Sequence, residues 1–136
     1  MAHRIVFLLF GVLVFFTISN LAAQEVILTI QSPSSGGFVL ERPIIEGTVS
    51  TDVSNLSIIV HPVETSDYWV QPEVTVRQNG EWICKIYIGR PGKIDVGKQF
   101  EIRAVANPER QLSEGQIFGE WPEAQWKSEV IQVIRK

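Results

Sequence analysis

Apolar and polar residues alternate along most of the chain after residue 24, which is the period-two pattern of half-buried β-strands. The alternation is clearest in four segments: EVILTIQ (25–31), EWICKIYI (81–88), FEIRAVA (100–106) and SEVIQVIR (128–135). Further short extended segments lie at 38–40, 44–50, 56–62, 68–71 and 73–77. Turn-forming residues separate these segments, and none has a convincing helical period. The sequence therefore predicts an all-β, antiparallel two-sheet sandwich of about seven to eight strands.

The Asn79-Gly80 dipeptide predicts a tight hairpin, because both residue types tolerate a positive φ. In the strand that follows, period two places Trp82, Cys84 and Ile86 on one face and Ile83, Lys85 and Tyr87 on the other. Lys85 suits solvent, so we expect the face of Trp82 to be buried. Cys84 is the only cysteine, which excludes an intramolecular disulfide, and we predict a buried, slowly reacting thiol.

Residues 1–23 have the order of a secretory signal peptide. Arg4 precedes an apolar run from Ile5 to Ile18, and Ala22 and Ala23 provide a cleavage site after residue 23. The alternative is a retained membrane anchor, although an apolar run of about 14–17 residues is short for a span of about 20. We expect a signal peptide at 1–23, a β-sandwich domain at 24–136, and a secreted, periplasmic or cell-surface location without membrane contact unless the anchor is retained.

Removing Arg4 from the 12 Lys and Arg leaves 11 against 15 Asp and Glu, a net charge of about −4. Recognition of nucleic acid needs a clustered basic face, so this scattered, mildly acidic charge argues against a nucleic-acid partner. The remaining chain of about 113 residues is long enough to bury a sufficient core without disulfides.

Four segments, taken in order, resemble the bacterial Ig-like β-sandwich domains of secreted and surface proteins: IIEGTVS, VTVRQNGEWICKIYI, GKQFEIRAVA and SEVIQVI. That family has an early strand with Val and Gly, an Asp-Gly-x-Trp hairpin, a Gly and an aromatic before an alternating strand, and a final strand that begins with Ser. Here Asn79 replaces the Asp, and the segment after Ala106 is longer than the family's usual turn. The resemblance spans residues 26–135. It implies a spacer, an adhesin stalk unit or an accessory binding module, with no catalytic residues.

Catalytic and metal chemistry have few candidate residues. His61 is the only histidine after residue 23, and a catalytic triad would need it together with Asp52, Asp67 or Asp95. Its position at a strand end beside Pro62 favours an ordinary surface residue. One His and one Cys far apart do not make a zinc site, and three separated Asp residues do not make a calcium loop, so no cofactor or metal is expected.

Residues 92–98 carry the Gly and Lys spacing of the start of a P-loop. Gln99 then stands where a Ser or Thr should meet Mg²⁺, and the flanking segments are strands. We therefore interpret residues 89–99 as a glycine-bearing loop with solvated basic side chains.

The aromatic residues of the two least regular segments are the candidate binding residues: Tyr68, Trp69, Phe118, Trp121 and Trp126. They either form a platform for a glycan or protein partner or close the ends of the core. The leading hypothesis is a non-catalytic module for protein binding, adhesion or structural support. A carbohydrate-binding module using Tyr68, Trp69 and Trp121 is the alternative, and a small secreted enzyme or enzyme inhibitor is a weaker one.

Overall fold

The computed structural model describes Gly11 and residues 27–53 and 55–136. The proposed signal peptide and its cleavage site after Ala23 lie outside these residues. The described chain contains no helix and forms strands with these bounds: β1 Leu28–Ser32, β2 Phe38–Val39, β3 Ile44–Val49, β4 Leu56–Pro62, β5 Tyr68–Val70, β6 Thr75–Val76, β7 Glu81–Lys85, β8 Gln99–Pro108, β9 Ile117–Phe118, β10 Ala124–Lys127 and β11 Ile131–Arg135.

The strands form two packed sheets, which confirms the predicted all-β sandwich. One sheet has the order β1-β3-β7-β6, and the other has the order β2-β11-β8-β4-β5-β9 with β10 also beside β8. All pairs are antiparallel except β2 and β11, which are parallel. The strand count exceeds the prediction mainly because several strands are very short. One of them, β10 (AQWK), has only four residues, and they alternate between apolar and polar.

The long strand β8 is the centre of the larger sheet. It pairs with β4 over seven residue pairs, from Leu56↔Ala106 to Pro62↔Phe100. Its other edge pairs with β11 and then with β10. The inner faces of both sheets meet in the main core, whose fully buried members include Ile45, Ile58, Trp82, Ile86, Ile102 and Val133.

The outer face of the larger sheet carries a second, smaller core. Ile59, Val70 and Val105 are buried there, although they face away from the main core. Residues 109–123, here called the covering segment, pack Leu112, Phe118 and Trp121 onto them together with Tyr68 from β5. The covering segment is therefore part of the packing, and it contains the short strand β9 at Ile117–Phe118.

Strands β6 and β7 form the hairpin that was predicted at Asn79-Gly80. Gly80 has a φ of +84°, and among the described residues the only non-glycine with positive φ is Asn107. Asn79 stays in the ordinary region, where its Oδ1 accepts a hydrogen bond from the Glu81 N–H at 3.1 Å. The Gly80 N–H donates to the Arg77 carbonyl at 3.0 Å. The hairpin loop is thus of the three-residue kind, with the positive φ at Gly80.

Gly47 leaves room in β3 for the Trp82 side chain of the neighbouring strand β7. It pairs with Trp82, and the indole lies over the glycine, so that an added Cβ would come within 2.5 Å of Trp82 Cε2 and would also collide with the Thr29 carbonyl. The backbone carbonyl cannot rotate away. The position therefore requires a residue without a side chain.

We predict that Gly47→Ala lowers the free energy of unfolding by about 2 kcal/mol, because the methyl group overpacks the core. Gly119→Ala is the matched control, since a Cβ there meets no atom within 4 Å. Denaturant unfolding followed by tryptophan fluorescence measures both variants. Equal stabilities of the two variants would contradict the packing described.

The predicted facing of β7 is confirmed. Trp82, Cys84 and Ile86 are buried, whereas Lys85 and Tyr87 are exposed. Burial is the main cause that raises the pKa of the Cys84 thiol to about 11, from an ordinary value of 9.0. The Sγ atom lies 3.3 Å from the Pro72 carbonyl.

A thiol-specific reagent should modify Cys84 at least about 100-fold more slowly in the folded protein than after denaturation, because the reactive thiolate is depleted and enclosed. The control is Lys85→Cys in a Cys84→Ser background, which places an exposed thiol one residue away and should react rapidly in both states. Rapid modification of folded wild type would overturn the assigned facing.

Candidate functional site

Adjacent aromatic residues in β5 face opposite sides of the larger sheet. Tyr68 packs with the second core on the outer face. Trp69 pairs in register with Val60, a member of the main core, and so belongs to the inner face. Trp69 nevertheless remains 38% exposed, because the inner face is not fully covered at β5.

This uncovered part of the inner face is a groove of about 610 Å³. Trp69 and Tyr87 lie along it, the latter 46% exposed. The turn after β4, residues 63–67, contributes Glu64, Thr65 and Asp67 to its wall. The groove therefore combines two accessible aromatic side chains with several polar groups.

Gln71 fixes the two sides of the groove relative to each other. Its side chain is buried and accepts a hydrogen bond from the Tyr87 N–H at 2.8 Å, while its Nε2 donates to the Trp69 carbonyl at 3.3 Å. On Tyr87, the Arg42 guanidinium lies 3.6 Å from the ring centroid. The backbones that carry Trp69 and Tyr87 are thus held before any ligand arrives.

Asp95 organises the charged end of the groove. Its carboxylate accepts hydrogen bonds from Arg90 N, Nε and Nη2 at 2.7, 3.1 and 3.0 Å, and Lys98 Nζ lies 3.2 Å away. The hydrogen bond from the Arg90 side chain is the main cause that holds the pKa of Asp95 well below its usual range. Lys98 also pairs with Glu64 at 3.5 Å.

The loop that resembles the start of a P-loop is held by internal contacts. The buried Arg135 guanidinium donates to the carbonyls of Ile88, Arg90 and Gly92 at 2.8, 2.8 and 2.7 Å. Arg135 thus binds backbone carbonyls of this loop, and Asp95 binds the Arg90 backbone and side chain and the Lys98 ammonium group. Arg90 is solvent-exposed, as predicted, although its guanidinium also pairs with Asp95, whereas Lys98 is half-buried beside the same carboxylate.

His61 is buried, so the expectation of a surface residue is wrong. Its Nδ1 lies 2.9 Å from Glu101 Oε1, and its Nε2 lies 2.7 Å from the Thr65 carbonyl oxygen. Tyr68 stacks on the imidazole with centroids 4.0 Å apart, and Trp121 meets it edge-on at 6.1 Å. The acidic partner is Glu101, whereas the sequence suggested Asp52, Asp67 or Asp95.

The five candidate aromatic residues do not form one surface. Tyr68, Phe118 and Trp121 pack together on the outer face, where Arg103 Cζ lies 5.4 Å from the Trp121 ring centroid. Trp126 is half-buried against the main core, and Trp69 alone of the five lines the groove. Sequence reasoning missed Tyr87 as a groove residue, although the alternation in EWICKIYI had placed it away from the core.

A scan against protein-family models and a search of curated proteins both find no match for this chain. Within residues 27–53 and 55–136, no group of three or more His, Cys, Asp or Glu side chains is placed to hold a metal ion. No helix among the described residues is long and apolar enough to cross a membrane.

The contacts of Asp95 predict a pH-dependent contribution to stability. The folded-state pKa lies below the unfolded value, so the stabilisation is present above about pH 4 and is lost as the pH falls through the folded-state pKa. Asp95→Asn should therefore destabilise the protein at neutral pH, and its difference from wild type should shrink in acid. The exposed Asp52→Asn is the control. A difference that is constant from neutral pH into acid would refute this role.

Proposed function

We propose that this protein is an exported, non-catalytic binding module whose ligand lies in the groove between Trp69 and Tyr87. The observation that carries the proposal is that these two exposed aromatic side chains line the same groove of about 610 Å³. A cleft of this size with apolar walls and a few placed polar groups is typical of a ligand site.

A carbohydrate is the ligand class that fits these walls best. Sugar rings have an apolar face that packs on aromatic rings and hydroxyl edges that donate to carboxylates. Asp67 and Glu114 line the groove, and within the described chain neither forms an ion pair, so both carboxylates are available as acceptors. Trp69 here takes the role that the sequence assigned to Tyr68, Trp69 and Trp121 together.

Two further observations support a non-catalytic role. Both ring nitrogens of His61 are engaged by Glu101 and Thr65, which leaves no free lone pair for a general base. Cys84 is buried with a raised pKa, which disfavours the nucleophilic thiolate. Export and the Ig-like family remain part of the proposal, supported by the signal-peptide pattern and by the resemblance of the strand motifs to bacterial Ig-like domains.

A glycan array should retain the protein, and Trp69→Ala should weaken binding of the retained oligosaccharide by at least about tenfold, as loss of a stacking residue does. Tyr87→Ala should act in the same direction. Trp121→Ala is the matched control for an aromatic residue outside the groove and should bind normally, provided that its circular dichroism is unchanged. An array without hits, or a hit indifferent to Trp69→Ala, would refute the proposal.

A protein ligand is the second candidate. Phe38 and Leu40, at the edge strand β2 and just after it, are 64% and 63% exposed, and neither lines the groove. Exposed apolar residues at a sheet edge are typical of protein–protein contacts. In pull-down of cell-surface proteins, a partner bound at β2 would be lost with Phe38→Ala and kept with Trp69→Ala.

A further inference from the structure

The contacts of His61 fix how many protons the site needs. A backbone carbonyl can only accept a hydrogen bond, so the 2.7 Å contact with the Thr65 oxygen requires a proton on Nε2. The 2.9 Å contact between Nδ1 and Glu101 Oε1 requires a second proton, carried either by Nδ1 or by the carboxyl group. Both hydrogen bonds therefore exist together only while His61 and Glu101 share this extra proton.

Removal of the shared proton breaks one of the two bonds. A neutral imidazole has one N–H, and an ionised Glu101 only accepts. If the N–H stays on Nε2, the Nδ1 lone pair faces the carboxylate; if it moves to Nδ1, the Nε2 lone pair faces the Thr65 oxygen. Either arrangement places two acceptors in contact at the buried imidazole, where an unmade hydrogen bond is costly, while Glu101 is half-buried and Thr65 is exposed.

Thr65 connects this site to the groove. It lies in the turn of residues 63–67, which forms a wall of the groove and leads directly into Tyr68 and Trp69 of β5. Within the turn, Thr65 N donates to the Pro62 carbonyl at 3.0 Å and Asp67 N to Thr65 Oγ1 at 3.1 Å, while Val63 N donates to the Gln99 carbonyl at 3.1 Å and Glu64 pairs with Lys98. The hydrogen bond from His61 Nε2 to the Thr65 carbonyl links this turn to strand β4.

The other charged groups around His61 already have partners. From β8, Arg103 donates to the Ser128 carbonyl and lies near the Trp121 ring. In the turn, Glu64 pairs with Lys98. Tyr68 from β5 and Trp121 from the covering segment contribute uncharged rings. Among the described residues, Glu101 is therefore the one ionisable side chain that is hydrogen-bonded to the imidazole.

We propose that His61 and Glu101 form a proton-dependent tether that positions the wall of the groove at residues 63–67, and that ligand affinity falls as the pH rises and the shared proton leaves. This regulation rests on the proposed function of the groove. The tether itself is a property of the free protein and can be tested without a ligand.

The direct test is amide hydrogen exchange of residues 63–67 in the free full-length protein, expressed as protection factors that remove the intrinsic pH dependence of exchange. Protection should fall by about tenfold as the pH is raised from the acid to the alkaline side of neutrality, because loss of the shared proton removes one of the two hydrogen bonds. Protection of the β8 core amides should stay constant over the same interval. Constant protection in the turn, or a parallel loss in β8, would overturn the tether.

Glu101→Gln separates a proton-dependent tether from a merely structural contact. The amide of Gln donates to the Nδ1 lone pair of a neutral imidazole while Nε2–H still donates to Thr65, so both bonds form without the extra proton. This variant should keep the turn protected at the upper end of the pH range, and Glu101→Ala, which removes the carboxylate that shares the proton, should give a protection that does not change with pH. The exposed Glu129→Gln is the control and should retain the wild-type profile. A Glu101→Gln profile identical to wild type would overturn the proposal.

The affinity for the array-selected oligosaccharide then tests the coupling. Wild-type affinity should fall with rising pH by a factor similar to the loss of protection, and Glu101→Gln should abolish that dependence. If exchange shows the tether but affinity is constant with pH, the coupling is wrong and the groove proposal stands. If no glycan binds, the groove proposal fails, while the exchange result decides the tether independently.

Discussion

The pairing of β4 with β8 is the interaction on which the rest of the structure depends. Its seven residue pairs place alternate residues of both strands on the two faces of the larger sheet. Ile58, Ile102 and Ala104 enter the main core, whereas Ile59 and Val105 face outward and need the covering segment to exclude water. The same register sets His61 opposite Glu101. A slip by one residue would exchange the two faces and separate that pair.

The short strand β5 converts this two-faced sheet into a candidate binding site. Tyr68 completes the outer packing by stacking on His61, and Trp69 extends the inner face beyond the part that the smaller sheet covers. The groove thus lies where the smaller sheet does not cover the inner face of the larger sheet. The packing on the outer face of the same sheet supports the strands that carry the groove residues. This arrangement explains why a buried histidine on the outer face can influence a wall of the groove through Thr65.

Local alternation allowed the facing of β7 to be predicted, because one core face and one polar face leave a clear period of two in EWICKIYI. It also placed Tyr87 outward, without indicating that Trp69 would lie on the same groove. The covering segment and the partner of His61 could not be predicted. The segment NPERQLSEGQIFGEWPEAQWK has no regular period, and the contact between His61 and Glu101 depends on a register set by residues 40 positions apart. Such long-range pairing is decided by packing of the whole sheet.

The central claim is that two adjacent residues of β5 lie on opposite faces of the larger sheet, Tyr68 in the packed outer face and Trp69 in the open groove. Hydroxyl-radical footprinting with mass spectrometry, performed with and without the array-selected oligosaccharide, tests it most directly. The account predicts that oxidation of Trp69 and Tyr87 falls when the glycan is bound, while oxidation of Tyr68 and Trp121 does not change. Protection of Trp121 and Tyr68, with Trp69 unaffected, would contradict the account and place the binding surface on the outer face.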